Sequence, residues 1–474
     1  MFGWLEIDKS SRAQEWAARP FGKLLLFSLF SLIFLSIYPA TDLAGRNTGP
    51  QILAAALACS LAGPYRAHML ALTTLVSLLL APNWFPSFWL EKVVDQPELQ
   101  ACLSWARPLA LFITLLISGL AMWAVRRWRR RGPGGWPVAT LLVGYACLWT
   151  LAWNSQGELR LVAFLLLWSL GAYLIYLAYA LRDQLAARPS PIWFQLATFH
   201  PYFSGTWIPI GLGAANLRNA QCRSARELAI CQLKALKLVC YSWVMFRLGD
   251  AFVALRARWA IPEFAGLLHA QLGGSAFYSR ATCWISLILS FFEGMVMAIC
   301  WGNLLVACAR LGGFRILQQV YKPLAATSIA DYWNRISFYY KQVVVDLFFF
   351  PAYIGFFKNS PRVRQGFAIL MAAGLGNLVY HWRNLVSLLA REGLSKTLWG
   401  MQTYFVYCFF LVLGLWISQL QVQNRDRRLS SVGRVVALIR IVLFYCLLSI
   451  FDEIHTPYSP LERFGFIGYL MGLG

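Results

Sequence analysis

The chain has 474 residues, 59% of them hydrophobic and 13% charged, with a mean hydropathy of +0.56. So little polar surface excludes a soluble globular protein of this size, and apolar runs that are continuous rather than alternating exclude a transmembrane β-barrel. The formal charge of +22, from 42 basic and 20 acidic residues, would suggest nucleic acid in a soluble domain; here the basic residues sit between apolar runs, as in cytoplasmic loops, and no nucleic-acid module accompanies them.

The pattern predicts an all-α polytopic membrane protein. Apolar runs fall at 24–38, 51–63, 69–81, 105–125, 137–153, 160–181, 238–256, 282–308, 344–357, 366–389, 400–421 and 434–451. A crossing needs about 20 residues, so we expect a bundle of about ten to twelve helices, the shorter runs forming half-helices or re-entrant pieces. Lys9, Arg12, Arg19 and Lys23 precede the first run. No small-residue cleavage site follows it, so it reads as a retained helix. The acidic loop 82–103 is expected outside. The loop 126–136, with Arg126, Arg127, Arg129, Arg130 and Arg131, is expected inside. The 195–214 stretch is apolar but broken by Pro201, Gly205, Pro209 and Gly211, and reads as an irregular buried piece. Basic loops flank 344–357 on both sides, which suits a segment that enters and returns. The loop 422–433 is expected inside, and the tail opening with Asp452 and Glu453 outside. Residues 1–194 read as N-terminal transmembrane helices, 195–390 as a core that carries the chemistry, and 391–474 as C-terminal helices with an external tail.

Eleven cysteines, none in a C-x-x-C pair, argue against a disulfide framework or a zinc site; we expect no metal. Five histidines are present. His68, His269 and His455 lie in polar surroundings, and His200 lies in the broken piece. Only His381 is well inside an apolar run. As a buried group it is either a structural histidine or a base, since an imidazole is the group suited to taking a proton from a hydroxyl at neutral pH. Asn377, four residues earlier, shares its helix face. The strip Asp331, Trp333, Asn334, Arg335, Lys341 and Asp346 sets ionisable groups among aromatics, costly in lipid and usually kept for a site. Trp333–Asn334–Arg335 also fits an interfacial belt with a snorkelling arginine. The Asn334 amide, alternatively, suits a carbonyl oxygen that gains charge. Arg247 and Asp250 read as a structural i, i+3 ion pair. Glu293, in a very apolar run, has no partner evident in the sequence.

The segment 311–351 resembles the central signature of the membrane-bound O-acyltransferase family. The likeness is to the bacterial alginate O-acetyltransferase and D-alanyl transfer branch. Its parts here are Gly313–Phe314, Lys322–Pro323, Ser328–Ile329–Ala330–Asp331–Tyr332–Trp333, Asp346 and Pro351. AGLGNLVYHW resembles the family's histidine helix and sets His381 at the histidine position. TFHPYFSGTWIPI resembles its Phe-Phe-Pro segment. The Trp333–Asn334 pair is similar to the lysophospholipid branch instead. The resemblance implies helices and re-entrant segments around a central tunnel. It also implies acyl transfer, acetyl by preference, from a thioester donor to a hydroxyl of a cell-envelope glycan or glycolipid. His381 would be the general base and Asn334 would steady the carbonyl, with Trp333, Arg335, Asn377 and Asp331 binding substrate. No tightly bound cofactor is expected; acyl-CoA or an acyl carrier protein would donate from the cytoplasmic side. Expected partners are membrane lipid and an external transferase or glycan-binding protein, and the expected location is a bacterial inner membrane. A lipid acyltransferase and a transporter or flippase are the competing readings. The lack of repeat symmetry weighs against the transporter.

Overall fold

The computed structural model describes residues 6–38, 48–80, 97–128, 137–200, 212–423, 430–452 and 458–473. Most of the 82–103 and 126–136 loops, most of the broken 195–214 piece, residues 424–429 and residues 453–457 with His455 lie outside the described residues. Among those described, the elements are helices, and the one extended contact is an isolated bridge between Gln221 and Phe314. In chain order they are α1 (Ser11–Ala18), α2 (Pro20–Ile37), α3 (Thr48–Leu61), α4 (Arg66–Leu80), α5 (Pro97–Arg127), α6 (Pro137–Asn154), α7 (Gly157–Gln184), α8 (Ile192–Thr198), α9 (Gly213–Ala220) and α10 (Ala225–Trp259). There follow α11 (Phe264–Leu272), α12 (Arg280–Leu311), α13 (Ile329–Ile336), α14 (Phe338–Val344), α15 (Phe350–Gly355), α16 (Pro361–Ile369), α17 (Asn377–Asn384), α18 (Val386–Gly400), α19 (Gln402–Gln423), α20 (Ser431–Ser449) and α21 (Pro460–Met471).

Among the described residues, six helical stretches are long and apolar enough to cross a membrane: Pro20–Ile37, Ala101–Arg127, Ala225–Leu272, Arg280–Leu311, Glu392–Gln421 and Ser431–Ser449. A bent pair within α7 would make a seventh. The chain is therefore an all-α, multi-pass membrane protein. The twelve apolar runs in the sequence do not each become a full span. The runs at 51–63 and 69–81 become α3 and α4, of 14 and 15 residues, about 21–23 Å of helix against a hydrocarbon core of about 30 Å. The runs at 344–357 and 366–389 each carry a π-helical segment continuous with the α-helix on either side of it.

The chain divides into two compact units. The first comprises 1–243, 301–319 and 386–393, and the second 244–300, 320–385 and 394–474. In the first, α5, α6 and α7 pack side by side. Between α5 and α7 the buried hydroxyls of Thr114 and Ser169 meet at 2.6 Å. Small polar residues let membrane helices approach closely, and such a bond adds roughly 0.6 kcal/mol. Gly313 takes a φ of +93°, and a Cβ there would stand 2.5 Å from the Arg66 Nε. That close approach lets the buried Arg66 donate to the Cys222 carbonyl at 2.6 Å, so the Gly313–Phe314 pair of the signature has a packing reason.

In the second unit, one core gathers Phe264, Leu267, Cys283, Leu287, Cys446, Ile450 and Phe466 from α11, α12, α20 and α21. A second gathers Ala330, Ile369, Ala373, Leu411, Leu415 and Leu448. Glu293 is not alone here: its carboxylate accepts from the Arg256 Nε at 2.5 Å. Arg256 also donates to the Pro262 carbonyl, the Ser286 carbonyl and the Ser290 hydroxyl. His269, expected in a loop, belongs to α11, and its carbonyl accepts from the Tyr458 hydroxyl. Arg247 and Asp250 form the expected i, i+3 pair at 3.0 Å, about half exposed.

Candidate active site

All the residues expected to carry chemistry lie within 320–385, in the second unit. The signature Ser328–Ile329–Ala330–Asp331 is first of all a helix start. Ser328 is the N-cap of α13 and accepts from the Asp331 N–H. The Asp331 carboxylate reaches back to the Thr327 N–H at 3.0 Å. Its other oxygen accepts from the Arg335 Nε at 2.7 Å, one turn on. The Ser328 hydroxyl thus caps the helix start, the Asp331 carboxylate holds the residue before the cap, and Asp331 and Arg335 are engaged with each other. Asn334 is exposed, and its side chain makes no hydrogen bond among the described residues. Trp333 turns its edge to the Tyr340 ring, with centroids 6.0 Å apart.

Two π-helical segments frame the histidine. Val345–Phe349 links α14 to α15, and Leu370–Gly376 links α16 to α17; they pack against each other. Each extra residue in a widened turn rotates the following helix by about 100° relative to an unbroken α-helix, and such turns recur at functional sites. The second one therefore sets which way Asn377 and His381 face. Asn377 is 3% exposed and its Oδ1 accepts a hydrogen bond from the Tyr340 hydroxyl. The Tyr340 ring in turn lies 5.0 Å from the Tyr380 ring, tilted by 58° to it. Trp333, Tyr340, Asn377 and the His381 turn thus form one connected group.

His381 has a side chain 12% exposed. Its ring lies 3.9 Å from the Tyr404 ring, nearly parallel, with Tyr407 and Tyr380 edge-on at 6.0 and 5.5 Å. Its Nε2 is 4.0 Å from the Asp452 Oδ1, and the Asp452 side chain is 45% exposed. That separation is a charge contact rather than a hydrogen bond. It sets the Asp452 carboxylate on the Nε2 side of the ring.

Sequence reading missed Tyr340, Tyr404, Tyr407 and Asp452. Tyr404 and Tyr407 carry a signal, two tyrosines three apart on one face of an apolar span. Asp452 reads as the first charge of a tail, and only the fold brings it to the histidine. Among the described residues no group of three His, Cys, Asp or Glu could hold a metal ion. The sequence matches no family model, and no characterised protein is significantly similar to it.

Proposed function

We propose that the protein is a membrane O-acyltransferase that moves an acyl group, acetyl by preference, from a thioester to a hydroxyl of a cell-envelope glycan or glycolipid. The observation that carries the reading is the largely buried His381, held between tyrosine rings with its Nε2 facing Asp452. A neutral imidazole so oriented is a base suited to a hydroxyl at neutral pH. In the proposed reaction the His381 imidazole takes the proton of the acceptor hydroxyl. The freed oxygen attacks the thioester carbonyl, the C–S bond breaks, and the thiolate leaves with the proton that His381 returns. The imidazolium formed in between is steadied by the Asp452 carboxylate. Asn377, one turn away and buried, holds the Tyr340 hydroxyl beside this turn. The resemblance of 311–351 and of the His381 helix to the membrane-bound O-acyltransferases supports the same reading, as does a bundle with short and broken helices. The proposed donor is acyl-CoA or an acyl carrier protein on the cytoplasmic side, and the proposed home a bacterial inner membrane.

The test is reconstitution in liposomes with an acyl thioester and candidate glycan or glycolipid acceptors, reading ester formed. His381→Ala should insert normally and lose about 10²–10⁴-fold in rate. Full activity in that variant would remove the histidine from the reaction.

A further inference from the structure

An apolar groove of about 560 Å³ runs along the second unit between α19 and the continuous stretch α16–α17. Phe357, Val363 and Trp416 line one end; Leu378 and Phe405 line the other, with Leu370 between. The helices are antiparallel here: Gly366 lies against the Trp416 indole, and a Cβ at Gly374 would stand 3.6 Å from Val412. A Cβ at Gly366 would come within 2.9 Å of that indole, so glycine is what lets Trp416 lie flat as the groove's wall. From Val363 to Leu378 the groove is about 22 Å long, and from Phe405 to Trp416 about 17 Å, at 1.5 Å per residue. That length matches one leaflet of hydrocarbon, about 15 Å, and the volume is in the range of a single small-molecule ligand. Phe357, Leu370, Leu375, Phe405 and Phe409 leave it open on one side, and its α19 wall belongs to a candidate membrane span. A hydrocarbon chain fits such a site better than a protein helix, about 10 Å wide.

The two ends differ in charge. Lys358 and Arg362 flank the lining residues Phe357 and Val363; both are exposed, and neither side chain makes a hydrogen bond or ion pair among the described residues. Arg364 is already engaged, with its guanidinium 3.9 Å from the Tyr353 ring. No acidic residue occurs from 354 to 391. At the opposite end lie Leu378 and Phe405, next in sequence to Asn377 and Tyr404 of the histidine site. The basic end is also the end toward which α19 runs before the basic 425–428 stretch, the cytoplasmic side by the positive-inside rule, where membranes carry anionic headgroups.

We propose that this groove binds one acyl chain of an anionic glycerophospholipid, with its phosphate against Lys358 and Arg362 and its chain end toward Leu378 and Phe405. The lipid's polar group then lies at the far end from His381, so it is a resident lipid and not the acyl donor or acceptor. The proposal stands independently of acyl transfer.

The test is native mass spectrometry of the purified full chain exchanged into phosphatidylglycerol or phosphatidylcholine. Wild type should retain phosphatidylglycerol about tenfold better, the order expected for two basic residues at a headgroup. Lys358→Ala with Arg362→Ala should abolish that preference while either lipid is still retained. Leu375→Trp should reduce retention of both, in protein that remains monodisperse. Glycerol phosphate should not displace the bound lipid. The proposal is overturned by equal retention of the two lipids in wild type, by a preference that survives the double substitution, by unchanged retention in Leu375→Trp, or by displacement with glycerol phosphate, which would reveal a site for free phosphate.

Discussion

A histidine deep in an apolar helix is either a base or a satisfied core group, and what decides is what its two nitrogens face. In this chain Nε2 faces Asp452 at 4.0 Å. If the proposed reaction holds, Asp452 orients the ring and steadies its charged form without touching substrate. Asp452→Asn should therefore lower kcat by roughly 10- to 100-fold with KM little changed, the mark of an interaction made in the transition state. Asp452→Glu should recover part of the loss. The rate at which diethyl pyrocarbonate modifies His381 should also change in Asp452→Asn; unchanged reactivity and unchanged kcat together would leave Asp452 with no part in the site. His381 and Asn377 were legible in the sequence because helical spacing and an apolar context suffice to mark them. Their partners were not, because Tyr340 and Asp452 lie 41 residues before and 71 after His381 in sequence and only tertiary packing joins them. Asp331 was legible as a special residue, yet its hydrogen bonds are those of a helix cap and an i, i+4 ion pair.

At the scale of the helices, the Arg256–Glu293 pair joins α10 to α12 within the second unit. Its side chains are only 10% and 21% exposed. Removing one partner of such a pair strands a charge and costs about 3–5 kcal/mol, whereas replacing both with apolar residues is often neutral. Glu293→Leu should therefore lower the unfolding midpoint in detergent strongly. Arg256→Met combined with Glu293→Leu should recover most of it, because the Pro262 carbonyl keeps its bond from the Ser286 hydroxyl. A double variant no more stable than Glu293→Leu would show that the arginine's other bonds matter more than its charge. The sequence marked Glu293 as costly but could not name a partner 37 residues away. The π-helical segments escaped notice for a related reason. Their composition, LMAAGLG and VDLFF, is compatible with an ordinary helix, and only the fold brings the two segments together.

For the whole molecule, hydropathy identified the all-α membrane class, and among the described residues six helical stretches, or seven with the bent pair, are long and apolar enough to span. Orientation is the property that charge can still decide. α20 is a 19-residue candidate span, about 28 Å long, close to the hydrocarbon thickness of about 30 Å. Ser430 caps its start, just after the basic 425–428 stretch, while Ser459 caps α21 beyond its far end. The two serines should then lie on opposite sides of the membrane, Ser430 inside and Ser459 outside. Cysteine placed at each position should be read with a membrane-impermeant maleimide on intact cells. The exposed native thiol Cys147 should first be replaced by serine. Labelling at Ser459→Cys with none at Ser430→Cys until the cells are lysed is the expected result. It would also put Asp452, at the end of α20, toward the outer side, and with it the His381 turn that it faces. A thioester from the cytoplasm would then have to reach most of the way through the protein to meet that base. The reverse labelling pattern would set the histidine near the cytoplasmic face and remove the need for such a path.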